Sequence, residues 1–332
     1  MAPRVEINWT VRNVAMKICP CVVLCIVSVA SLLGAEAPPD VAYSVNGVLF
    51  FATRSGAVMR TIRTRLPIRD FTVSPDLERV IFISKDATDW GGPLYLFDAK
   101  ANTVQLLTAG PYWLKRNTKA AREVYSDPDF SPDGAKVVFA IHTTPSGDLV
   151  EASGPLASMN LKTRQVKVLR STTEFDSVGP AFANHPSWSP DGTHILVSFE
   201  IGFSLVPPNG STIRSIEPQQ LPEESDWDTG FGWLGNGCVL YGFGHDGMVQ
   251  GAAVLHLSSG RSNPISSLLG TRLGNGSVIE MIQASGSLML VSEKDGSQLY
   301  DIVERKQLAT FPRGAKLLNR IPPSVAGCDQ GQ

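Results

Sequence analysis

Neither sign of charge prevails in this chain. Its 29 Lys and Arg face 31 Asp and Glu, a formal net charge of -2 in 332 residues, and only 18% of residues are charged. Nucleic-acid binding calls for a basic face dense enough to displace counterions from phosphates, so that class is set aside. Cysteine is scarce too: Cys19, Cys21 and Cys25 crowd into one N-terminal apolar stretch, leaving Cys238 and Cys328 for the rest of the chain. Those two can pair in an oxidising compartment, but spacing alone does not bring their Cα atoms within bonding distance. Catalytic signatures are missing. There is no Gly-x-Ser-x-Gly elbow, no His-Glu-x-x-His and no Gly-x-x-x-x-Gly-Lys loop. The histidines, His142, His185, His194, His245 and His256, are not spaced as a metal set, and His194 and His256 read as strand residues. No catalytic residue, metal site or cofactor is assigned, a channel cation being the one exception left open below.

The first 40 residues differ in kind from the rest. Arg12 and Lys17 precede an apolar run from Ile18 to Leu33, followed by Gly34, Ala35, Glu36, Ala37 and then Pro38 and Pro39. A basic start, a short apolar core and a small-x-small pattern make residues 1–37 a secretory signal. The run is shorter than the roughly 20 residues that span a bilayer comfortably. Pro38 disfavours cleavage directly after Ala37, so cleavage at a neighbouring bond and an uncleaved N-terminal anchor both stay open. That anchor would be the protein's membrane contact. Met16 opens a more compact signal and is the alternative start. The expected location is periplasmic or secreted.

What the chain has in quantity is turn-formers, 30 Gly and 23 Pro, and they recur in a pattern. Asp127-Pro128-Asp129-Phe130-Ser131-Pro132-Asp133-Gly134 leads into the apolar run Val137 to Ala140. His185-Pro186-Ser187-Trp188-Ser189-Pro190-Asp191-Gly192 leads into Ile195 to Val197. A weaker copy, Asp70 to Asp76, and a degenerate one, Phe231 to Gly237, precede Val80 to Ile83 and Cys238 to Tyr241. Each unit is a β-hairpin: proline presets φ, aspartate bonds the following backbone, and glycine takes the left-handed conformation. Phe130, Trp188 and Trp233, just before the turns, are read as rings packed between neighbouring sheets. A second hairpin follows each first one, as in Leu94 to Asp98 with Val104 to Leu107, which makes four-stranded units. Such units cannot bury their faces alone and must stack radially.

The expected fold class is therefore all-β: a β-propeller of six blades, with seven as the alternative, over residues 38–322, followed by a short flexible tail at 323–332. Blades are expected to begin near Val41, Arg69, Ser126, Val178, Asp226 and Ser266. The first blade is short, so one of its strands is expected from the other end of the chain. Gly230-Phe231-Gly232-Trp233-Leu234-Gly235 matches the dinucleotide pattern but sits among short strands, not between a strand and a helix, and is set aside.

Phe-Ser-Pro-Asp-Gly and Trp-Ser-Pro-Asp-Gly, preceded by Asp-Pro and His-Pro, resemble the repeat of the TolB-like, WD40-like propeller superfamily. The likeness is strong in blades three and four, partial in two and faint in five. It implies a six-bladed propeller in the periplasm or outside the cell. TolB itself carries an α/β domain ahead of its propeller, for which there is no room between the signal and Val41. Related propellers accompany dipeptidyl-peptidase-type hydrolases or act as pectin-fragment lyases. Fold resemblance does not carry activity with it.

Aligned on the Ser-Pro-Asp turn, Asp70, Asp127 and His185 fall four residues before the serine in successive blades. Rotation about the propeller axis places them on one arc. They either line a polar or cation-binding channel mouth or tie turns and blades together. The basic residues Lys115, Arg116, Lys119 and Arg122, in an expected loop from Gly110 to Tyr125, are a second candidate contact, for a protein partner. Two functions follow: a non-enzymatic module binding an unidentified protein or glycan, or a channel enzyme such as a polysaccharide lyase or hydrolase.

Overall fold

The computed structural model describes residues 38–318 apart from 85–91, 109–120, 146–154, 171–183, 200–201, 212, 220–230, 246–247 and 266–278, together with Cys328. The signal segment at 1–37 lies outside the described residues. Among the described residues no helix is long and apolar enough to cross a membrane.

All described elements are strands, and they group into six four-stranded units. Blade 1 holds β1 (Val41–Val45), β2 (Val48–Ala52) and β3 (Val58–Arg63). Blade 2 is β4 (Ile68–Val73), β5 (Arg79–Ser84), β6 (Leu94–Asp98) and β7 (Thr103–Leu106). Blade 3 is β8 (Ala121–Phe130), β9 (Lys136–Pro145), β10 (Leu156–Asn160) and β11 (Val166–Arg170). Blade 4 is β12 (Asn184–Trp188), β13 (Ile195–Phe199), β14 (Gly202–Val206) and β15 (Arg214–Ile216). Blade 5 is β16 (Phe231–Gly235), β17 (Cys238–His245), β18 (Met248–His256) and β19 (Ser262–Pro264). Blade 6 is β20 (Ile279–Ser285), β21 (Leu288–Glu293), β22 (Gly296–Asp301) and β23 (Lys306–Phe311). The last strand, β24 (Lys316–Leu317), pairs with β1 through Ala42↔Lys316 and Val41↔Leu317. The C-terminal strand is thus the innermost strand of blade 1 and closes the ring.

Burial follows radial position. The second strand of a blade is covered on both faces by neighbouring blades, so Val80–Ile83, Val137–Ile141 and Leu288–Val291 are buried without alternation. Outer strands such as β7 keep mostly exposed side chains on their solvent edge. Six hydrophobic clusters mark the six interfaces in ring order. Phe51 and Phe71 belong to the one joining blades 1 and 2, Phe130 to blades 2 and 3, and Trp188 to blades 3 and 4. Trp233 sits in the cluster of blades 4 and 5, Ile282 in that of 5 and 6, and Leu299 in that of 6 and 1. Each such large apolar side chain contributes about 1.5–3 kcal/mol on burial, and radial stacking spreads that stabilisation evenly around the ring.

The repeat turn is bonded alike in three blades. Ser131 Oγ donates to Asp133 Oδ1 at 2.6 Å while Lys136 N donates to Ser131 Oγ at 2.9 Å. Ser189 and Asp191 do the same at 2.6 Å, with His194 N at 3.0 Å from Ser189 Oγ. Ser74 and Asp76 repeat the contact in blade 2. Gly134 and Gly192 take φ of 66° and 71°, and Leu77 occupies the matching position at 60°. The Ser131 hydroxyl, against the opposing effect of burial, holds the Asp133 carboxyl below the usual range. For Asp191 burial pushes up, and the bonds from Ser189 and Thr193 push down further.

Several boundaries differ from expectation. β8 and β9 keep pairing as far as Ala121↔Pro145, so blade 3 begins at Ala121 rather than Ser126, and Arg122 stands in a strand opposite Thr144 instead of in a loop. The innermost strands of blades 4, 5 and 6 begin at Asn184, Phe231 and Ile279, later than Val178, Asp226 and Ser266. His194 lies in the turn before β13, because its N–H closes the Ser189 loop instead of joining the ladder. Within the expected tail, Cys328 is the described residue: it is buried, disulfide-bonded to Cys238 with Cα atoms 5.1 Å apart, and its carbonyl accepts from Gly237 N.

Candidate binding site at the channel mouth

Blades 2, 3 and 4 each carry a register shift within the innermost strand, between Ile68 and Asp70, Ser126 and Asp129, and Asn184 and Ser187. In blades 3 and 4 the shift has a local cause. Pro128 and Pro186 lack an N–H, cannot donate to a ladder and are confined to bulges. The residues before them, Asp127 and His185, take positive φ of 49° and 50°, a conformation in which Asp and His are enriched among non-glycine residues. The bulges bring both side chains to the cavity that opens on the propeller axis.

That cavity, about 470 Å³, is lined by the innermost strands of all six blades. Asp70, Asp127 and His185 all line it, together with Lys316, Gln283 and Arg313. His185 Nδ1 lies 3.0 Å from Asp127 Oδ1, bridging blades 3 and 4. The Lys316 ammonium pairs with Asp70, bridging blades 1 and 2, and sits 5.8 Å above the Phe71 ring. Asp129, two residues after Asp127, accepts from Thr72 Oγ1 at 3.4 Å in blade 2, and from Ser187 Oγ at 3.2 Å and Trp188 N at 2.9 Å in blade 4. Blade 6 is tied to the closing strand by Leu317 N donating to Gln283 Oε1 at 3.1 Å.

Opposite charges meet within this arc. Burial alone would raise the Asp127 pKa, but the adjacent His185, with help from Lys316, outweighs it and holds the carboxyl far below the carboxylate range. Burial would likewise strip Lys316 of its proton; Asp70 first, then Asp127 and Asp129, outweigh it and raise its pKa. Lys316 thus brings positive charge to the carboxylates of three residues, Asp70, Asp127 and Asp129. Among the described residues no three His, Cys, Asp or Glu side chains are grouped to hold a metal.

Lys316 and Asp129 are the participants that sequence reasoning missed. Lys316 lies 246 positions beyond Asp70 and outside every repeat, so only ring closure places it; Asp129 stood inside the motif, where its turn-proximal position hid its reach to both neighbouring blades. Of the basic candidates, Lys115, Arg116 and Lys119 lie outside the described residues. Opposite the arc β16 and β20 meet in parallel at Trp233 and Ser285, an approach that only a residue without a side chain allows, since a Cβ on Gly232 would stand 2.1 Å from the Ala284 backbone.

No protein-family model matches the sequence, and no curated protein matches it. Solved structures do. TolB from Acinetobacter baumannii superposes with a TM-score of 0.56 at 15% identity, over 91% of this chain and 71% of that one. The β-propeller domain of Cps50 (Swd1) from Myceliophteria thermophila gives 0.50 at 12%, over 78% and 79%. A weaker likeness to an oligogalacturonate lyase in complex with manganese, 0.41 at 11% identity over 82% and 84%, carries no argument. At these identities the likeness speaks of architecture alone, and with the six closed interfaces it makes the fold of this chain a TolB-like β-propeller.

Proposed function

We propose that the protein is an exported, non-enzymatic binding module that takes a protein segment or a glycan at the mouth of its channel, in the periplasm or outside the cell. The observation that carries this reading is the axial cavity of about 470 Å³, in which Lys316 partners Asp70 and His185 partners Asp127. A mouth lined by side chains of both charge signs favours a polar ligand over a strongly charged one.

Ligands that bind the folded state raise its melting temperature by mass action. The test is a thermal-shift series with an oligosaccharide panel, paired with pull-downs from an extract of the exported compartment, on the wild type and on an Asp127→Asn, His185→Asn double variant. Asparagine suits both positions because it tolerates positive φ. The expected result is a glycan or a protein whose binding is lost in the folded double variant. Binding indifferent to the mouth residues would sink the reading, and shortened oligosaccharide products would replace it with a channel lyase or hydrolase.

A further inference from the structure

The disulfide between Cys238 and Cys328 has a histidine beside it. Cys238 and His256 are direct partners in the β17–β18 ladder, and His256 Nδ1 lies 3.4 Å from Cys238 Sγ. Across the ring, Asn263 Nδ2 on β19 donates to His256 Nε2 at 3.1 Å. A disulfide sulfur carries no proton and an amide NH₂ only donates, so both contacts ask for one tautomer: hydrogen on Nδ1, facing the sulfur, and a bare Nε2. The backbone holds the ring in place, since His256 N donates to Arg261 O and Leu257 N to Gly237 O, both at 2.9 Å. All of these groups belong to blade 5, so the imidazole is set by β17, β18 and β19 and not by Cys328.

The rest of the described surroundings are apolar. Both cysteines belong to the buried cluster between blades 5 and 6, with Leu234, Leu240 and Met289. Among the described residues, the ionisable side chain packed against that cluster is Tyr300, whose hydroxyl donates to Gln298 Oε1 at 2.8 Å. Burial of this kind disfavours a thiolate and leaves a thiol inert. An imidazole N–H aimed at Cys238 acts in the opposite sense, because it stabilises the thiolate. A bond that only tethers the chain has no use for it.

We propose that Cys238, Cys328 and His256 form a thiol–disulfide exchange site, whose co-substrate is an external disulfide or, in reverse, an external dithiol. In the closing direction the Cys328 thiolate attacks the external disulfide, displaces one thiol and becomes a mixed disulfide. The Cys238 thiol passes its proton to His256 Nδ1, and the resulting thiolate attacks Cys328 Sγ. The bond to the external half breaks, and that half leaves with the proton that Nε2 gives up. Two electrons have then passed to the external disulfide, which is now two thiols. With a dithiol the steps run backwards, and Cys238 is the sulfur that departs as thiolate. Asn263 is a positioning residue: its amide donates to a bare Nε2 and, turned over, accepts from the Nε2–H of the imidazolium. The attachment of Cys328 to blade 5 thereby follows the thiol–disulfide balance around the protein. None of these residues lines the channel mouth, and the inference is independent of that site.

The experiment uses the full chain with Cys19, Cys21 and Cys25 replaced by serine, which leaves Cys238 and Cys328. The reduced protein is mixed with oxidised glutathione, and closure of the bond is followed by acid quenching, alkylation and mass. His256→Gln should close about tenfold more slowly, with Asn263→Ala between it and the parent. Reduction of the closed protein by dithiothreitol should slow by a similar factor in His256→Gln. A second measurement needs no histidine variant: in Cys328→Ser, the ultraviolet band of the Cys238 thiolate should appear below the ordinary thiol value of about 8.5. A buried cysteine without an activating histidine titrates above it. Equal closure rates in the parent and His256→Gln, or a Cys238 thiolate that forms only above about 8.5, would overturn the inference.

Discussion

His185 Nδ1 stands 3.0 Å from Asp127 Oδ1, each on a left-handed residue that precedes a proline, and the pair fastens the innermost strands of two successive blades. Its worth depends on pH. The Asp127 carboxyl is depressed in the folded state, so its contribution is fully present above the unfolded value of about 4 and is lost as pH falls below it toward the folded value. Asp127→Asn, which keeps the backbone conformation available, should cost about 1–2 kcal/mol near pH 7 and flatten the acid limb of the stability curve. Urea denaturation at several pH values checks both; an unchanged acid limb would remove the pair from the account.

Lys316 joins the closing strand to blade 2 through Asp70. Lys316→Met leaves the Asp70 carboxylate partly buried and unmatched, for an expected loss of about 1–3 kcal/mol. Adding Asp70→Asn should recover part of that loss. A double-mutant cycle measured by chemical denaturation gives the coupling, and strict additivity would mean that the two side chains do not interact.

The disulfide joins cysteines 90 residues apart and pins the chain beyond β24 to blade 5. Cys328→Ser, or reduction, should cost about 2–5 kcal/mol, and combined with Lys316→Met it should loosen ring closure, whose short ladder pairs Val41 with Leu317 and Ala42 with Lys316. Thermal unfolding with and without reductant, on both variants, provides the measurement.

Two glycines separate conformational strain from collision. A Cβ on Gly192 meets only Pro132 carbons at 3.6 and 3.7 Å, so Gly192→Ala should cost about 1 kcal/mol, the left-handed penalty alone. Gly232→Ala drives a methyl into the Ala284 backbone and should cost more than about 3 kcal/mol. Equal melting temperatures for the two variants would contradict the close approach of β16 and β20.

What the sequence by itself determined is local and periodic. Ser131-Pro132-Asp133-Gly134 and Ser189-Pro190-Asp191-Gly192 carry their own turn bonding, and apolar runs on either side set strands, so a four-stranded unit and its radial stacking were legible before any coordinates. The same periodicity pointed to Asp70, Asp127 and His185, because rotation maps equal repeat positions onto one arc. What only the tertiary structure decided is what lies between repeats. Lys316 reaches Asp70 because the chain's last strand becomes the innermost of the first blade, a pairing of residues with no local signal. Cys238 meets Cys328 for a like reason, because the chain beyond β24 returns to blade 5: a repeat pattern encodes the surface within a blade, while the ring alone sets which surfaces face each other.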